Sequence, residues 1–113
     1  MRSLRIAALA VALAFSGAPA FAQGQHDLEQ VLIESANTPA QHQALAEHFR
    51  AKANAARAEA KDHRSMADSY GGTKLMVAAA QRKHCNDIAA NLEAQAKSYE
   101  ALAAAHEAEA KKK

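Results

Sequence analysis

Past residue 38 the chain advances in seven-residue steps. One line runs through His42, Phe49, Ala56, His63 and Tyr70, and a second through Ala78, Cys85, Leu92, Tyr99 and His106. Interleaved with them lie Leu45, Lys52, Glu59 and Met66, then Leu75, Gln81 or Arg82, Ile88, Gln95 and Leu102. Such a heptad repeat is the seam of two helices winding on one another, here with polar interruptions. No segment alternates with period two, so strands are not expected. The pattern predicts an all-α chain: an antiparallel coiled-coil-like helical hairpin with a short preceding N-terminal helix.

Local signals place the ends of these helices. Thr38-Pro39-Ala40-Gln41 reads as an N-cap, a proline at the first helical position and a glutamine at the third, opening a helix over about 39–70. Gly71 is a natural left-handed stop, and Thr73 can cap a third helix over about 73–111. Asp27, with Gln30 three residues on, predicts a short helix over about 27–37 carrying the apolar stripe Leu28, Val31 and Leu32. A tight turn at Gly71-Gly72 predicts that facing residues have numbers summing to about 141. Phe49 then meets Leu92, His42 meets Tyr99, Ala56 meets Cys85, His63 meets Ala78, and Met66 meets Leu75 and Met76. The third helix overshoots the second, so its last two turns are expected against the short first helix.

The N-terminus changes the picture of the compartment. Arg2 and Arg5 precede an uncharged apolar run from Ile6 to Phe15, and Ala20-Phe21-Ala22 supplies a small-x-small cleavage pattern before Gln23. These are the parts of a cleavable signal peptide over residues 1–22, and the run is shorter than the ~20 residues a membrane span needs. The expected product is a periplasmic or secreted single helical domain, residues 23–113, with no stable membrane span after cleavage. Removing the two leader arginines turns a formal charge of +2 into twelve basic and twelve acidic side chains. A retained basic face, the footprint of nucleic-acid binding, is missing, and Lys111-Lys112-Lys113 complements a helix C-terminus.

Alanine supplies 23 of the 75 residues from Pro39 onward. A core of methyl groups buries little area, so a lone hairpin is marginal and self-association is the expected remedy. Cys85 is the only cysteine, which excludes an internal disulfide.

Candidate chemistry gathers near the hairpin tip. His63 and Met66 share a helix face, and Met76 lies across the turn; imidazole and thioethers suit a soft ion such as Cu(I). His84 and Cys85 are a second pair of candidate ligands, although neighbours on a helix point about 100° apart. The remaining histidines read as structural or solvated. There is no glycine-rich phosphate loop, nucleophile elbow, H-E-x-x-H or C-x-x-C, so no enzyme is expected.

The segments AEHFRAKANAARAEAKDHRSMADSY and KHCNDIAANLEAQAKSYEALAAAHEAEA resemble small exported alanine-rich helical-hairpin proteins of proteobacteria. That resemblance implies an exported helical hairpin and carries over no catalytic or binding residue. Together these readings predict a non-enzymatic exported protein acting through helix-helix association, as a homo-oligomer or with an envelope protein partner. A periplasmic soft-metal (copper) binder is the alternative, and a small periplasmic stress chaperone a third.

Overall fold

The computed structural model describes residues 19–72 and 75–112, with side chains for 24–71 and 77–112. Three helices follow in order: α1 (Pro19–Ser35), α2 (Pro39–Ser69) and α3 (Leu75–Ala110), and no strand occurs among the described residues. Helices α2 and α3 pack along one another as the hairpin. The apolar run of the leader and Thr73 lie outside the described residues.

The start of α2 follows from its side chains. Thr38 sits in extended backbone (φ −116°, ψ 152°). Its Oγ1 accepts from the Gln41 N–H at 3.3 Å, while the Gln41 side-chain oxygen accepts from the N–H groups of Thr38 (3.1 Å) and Asn37 (3.0 Å). This reciprocal box satisfies amides that the first helical turn would otherwise leave unpaired. Helix α1 departs from expectation. It begins at Pro19 rather than near 27 and ends at Ser35, so Asp27 lies inside it instead of capping it. Proline is well placed at a helix start, and Gly24 is the one glycine within α1. The far end of α2 also differs. Gly71 is not left-handed, and the helix tightens into a 3-10 turn over Tyr70–Gly72.

Close helix approach is written in two alanine ladders. Ala46, Ala53, Ala60 and Ala67, each seven residues apart, are at most 1% exposed, as are Ala89, Ala96 and Ala103 on α3. Among the described residues Phe49 is the one large side chain fully buried. With Leu45 it packs on Ala103, and Ala36 and Tyr99 close over them. Ala53, Ala56 and Ala96 form the next layer, covered by Leu92 and Tyr99. The line His42, Phe49, Ala56 and its counterpart on α3 therefore face the seam. Of the interleaved line Leu45 is buried as expected, but Met66, Ile88 and Leu102 are 42–43% exposed, and there the seam is carried one residue further on by alanine.

The register is one heptad away from the expected one. His42 meets His106, and Phe49 stacks on Tyr99 with ring centroids 6.2 Å apart. Facing numbers thus sum to about 148. Phe49 faces Tyr99 rather than Leu92, His42 faces His106 rather than Tyr99, and Ala56 packs with Leu92 and Ala96 rather than with Cys85. In this register α3 ends level with the start of α2 and has no overhang to cover α1. Instead α1 is tied to α2 through the Glu29 side chain, which bonds Lys52 and His48.

A ladder of ion pairs favours this alignment. Arg50 pairs with Glu107, Arg57 with Glu100 at 2.6 Å and Arg64 with Glu93 at 3.1 Å, each a heptad from the next. Sliding α3 to the expected register would set Arg64 against Asn86 and Arg82 against Ala60. One pair is lost, and Arg82 moves from the tip beside Gly71 to a rung deeper in the alanine seam. Flanking charges of this kind select partner alignment more than they stabilise.

Candidate functional site

Helix α1 places Leu28, Val31, Leu32 and Ser35 at i, i+3, i+4 and i+7, a face that should be covered. It is not. Leu28 is 61% exposed, Val31 58%, Leu32 50% and Ile33 41%. A groove of about 370 Å³ opens between α1 and α2, with Leu28 and Leu32 on one wall and His48 and Lys52 on the other. A smaller hollow of about 160 Å³ continues it past Leu32 to Ala44 and Leu45.

One carboxylate ties α1 to α2 at this groove. Glu29 accepts from Lys52 Nζ at 2.6 Å and lies 3.0 Å from His48 Nε2. Burial pushes the Glu29 carboxyl up, but hydrogen bonds from Lys52 and then His48 outweigh it and hold the group below its ordinary value. Burial likewise works to lower the Lys52 ammonium, and the bond to Glu29 reverses this, leaving it raised. Lys52 also sits 4.8 Å above the Tyr99 ring, a cation–π contact that joins the α1 tether to the α2/α3 seam.

The open end of the hairpin holds a second cluster. His42 Nδ1 and His106 Nδ1 stand 3.1 Å apart, with ring centroids at 5.4 Å. Phe49 stacks on His106 at 5.7 Å with the planes 7° from parallel, and His48 meets the Phe49 edge at 5.3 Å. Burial, reinforced by the neighbouring His42, lowers the His106 imidazole, with Glu109 opposing.

The tip residues are partly brought together. His63 is on the seam, its Nε2 4.0 Å from Glu59, and its Nδ1 is buried with no hydrogen-bond partner among the described residues. The heptad register places half-buried Cys85 level with it. Met66 is 43% exposed and His84 is exposed, so both turn away from that line. The Met76 side chain lies outside the described residues. No three His, Cys, Asp or Glu side chains converge on one point among the described residues. Ala20, Ala22 and Gln23, the expected cleavage residues, fall on the backbone of α1, and their side chains lie outside the described residues.

The His42–His106 pair was legible only through the register. Arginine at 50, 57 and 64 against glutamate at 93, 100 and 107 is the pattern that would have aligned the helices and revealed it. No helix among the described residues is long and apolar enough to cross a membrane. No protein-family model matches the chain, and neither a curated protein nor a solved structure shows significant similarity to it.

Proposed function

We propose that the chain is an exported, non-enzymatic helix-association module, and that its working surface is the apolar face of α1 with the groove beside it. The observation that carries this is the exposure of Leu28, Val31 and Leu32 on a helix the hairpin does not cover. Export rests on the leader pattern of Arg2, Arg5, the run Ile6–Phe15 and Ala20-Phe21-Ala22. The occupant of the groove is a second copy. The balanced charge of the processed chain sets up little repulsion between copies, and a two-fold contact lets each α1 stripe enter its partner's groove.

Magnitudes make this association weak and reversible. Fully burying Val, Leu or Ile is worth about 1.5–3 kcal/mol, so covering the exposed half of four side chains on each of two copies yields roughly 6–12 kcal/mol. Lost translational and rotational freedom costs at least ~4 kcal/mol, which leaves at most about 8 kcal/mol and a dissociation constant no tighter than about 1 μM. Sedimentation equilibrium from 10 to 500 μM should show a monomer–dimer equilibrium that Leu28→Asp with Leu32→Asp abolishes. A monomer throughout that range, or a dimer indifferent to those substitutions, would overturn the proposal.

A second reading has its own support. The unpartnered Nδ1 of His63, level with the Cys85 thiol, is an arrangement that a soft ion such as Cu(I) satisfies. Anaerobic Cu(I) competition is its test. Equal affinity in a His63→Ala, Cys85→Ala variant removes it.

A further inference from the structure

The contact between His42 and His106 has a chemical use that packing alone does not exhaust. Two imidazoles from different helices, 64 residues apart in sequence, point Nδ1 at Nδ1 across 3.1 Å. Two neutral rings can hold that contact only by sharing one proton, one nitrogen donating and the other accepting. The same separation nearly equals the distance between two nitrogen ligands on a tetrahedral ion, about 3.3 Å when each metal–nitrogen bond is about 2.0–2.1 Å. Exchanging the shared proton for an ion therefore requires the rings to part by a few tenths of an ångström and to tilt so that both nitrogens aim at one point beside the line joining them.

We infer that His42 and His106 form a two-imidazole site for a nitrogen-preferring divalent transition ion such as Zn²⁺, stapling the first turn of α2 to the last turns of α3. Three features prepare the site. The capping box at Thr38 and Gln41 fixes the backbone immediately before His42. Phe49 stacks against the His106 ring at 5.7 Å and restrains its orientation. Glu109 lies three residues beyond His106, one helical turn along the same side, where its charge is felt by both rings. It is paired at 2.5 Å with Lys112, an exposed side chain that can release it. Since no third ligand already converges with the two rings among the described residues, water or the Glu109 carboxylate completes the coordination. The site lies at the opposite end of the hairpin from His63 and Cys85, and neither proposed ligand lines the α1 groove.

The test is titration of ZnCl2 into the chain purified without a polyhistidine tag, followed by calorimetry and thermal melting. Saturable binding of one ion per chain and a rise of several degrees in Tm are expected, because an ion that binds only the folded hairpin stabilises it. His42→Gln and His106→Gln should each weaken binding at least about tenfold, in line with the loss of one of two protein ligands. His26→Gln, at an exposed histidine of α1, should leave binding unchanged. Should a variant fail to fold, NMR of the unaltered chain decides: Zn²⁺ should move the ring signals of two of its six histidines. No saturable binding up to 100 μM, wild-type affinity in the double variant, or shifts confined to other histidines would overturn the inference.

Discussion

Replacing Ala60 by leucine is the sharpest probe of the seam. Ala60 is 0% exposed, between Ala53 and Ala67 at 1% each, and faces the α3 ladder around Ala89. If space existed, three added carbons would stabilise the hairpin by about 2.4 kcal/mol at ~0.8 kcal/mol each. The ladder leaves none. The side chain would wedge two stiff rods apart, and a gap of 0.5–1 Å already forfeits roughly a quarter to a half of each dispersion contact along it. Overpacking commonly costs about 1–3 kcal/mol, and here the strain spreads to neighbouring rungs. We expect a net loss of about 2 kcal/mol, which for a domain of this size lowers Tm by on the order of 10 °C. Circular dichroism melts at two concentrations tenfold apart separate this from any change in association. Ala58→Leu, on the exposed face, is the control and should stay within ~0.5 kcal/mol of the parent. A higher Tm for Ala60→Leu than for the parent would show that the methyl ladder does not set the helix spacing.

Three further outcomes are expected. Arg57→Glu, which sets a carboxylate against Glu100, should destabilise the hairpin by up to about 1 kcal/mol, and adding Glu100→Arg should restore most of it; absence of rescue in urea melts would remove the ion-pair ladder as an aligning device. Thr38→Ala should cost about 1 kcal/mol in the same assay through loss of the N-terminal cap, and an unchanged midpoint would show the cap to be idle. In EDTA, stability should fall as pH drops through the ordinary imidazole range. The unfolded chain then binds a proton that burial and His42 keep off His106. A second fall should follow in acid as Glu29, held below its ordinary value by Lys52 and His48, takes up a proton. His106→Gln should flatten the first step, and a first step that survives this change refutes its assignment.

Much of the hairpin could be read from residues alone, for reasons that also explain what could not. The capping box is local chemistry, so Thr38 and Gln41 announce it wherever α3 lies. The line through His42, Phe49 and Ala56 is correct because it depends on one helix. Register is different. A strict heptad repeat looks the same after a seven-residue slide, so hydrophobic pattern alone could not choose between Leu92 and Tyr99 as the neighbour of Phe49. The interleaved line failed through size. Met66, Ile88 and Leu102 seemed better core residues than Ala67, Ala89 and Ala103, yet closely approaching backbones select the smaller side chain. Helix α1 is longer than the Asp27 cap signal implies because the cleavage pattern at Ala20-Phe21-Ala22 marks processing and carries no information against a helix. The His42–His106 cluster inherited the error in register and stayed hidden with it.

Interior rungs that repeat have a consequence for how the molecule recognises its own correct shape. Each Arg–Glu pair resembles the next, and each alanine layer resembles its neighbours, much as the teeth of a zip are alike. What is unique lies at the extremities: two histidine rings at the open mouth and Arg82 beside Gly71 at the closed one. Identity of the folded state is therefore vested in its ends. Altering either end permits a slid conformer that most bulk measures of helicity would not distinguish from the native one.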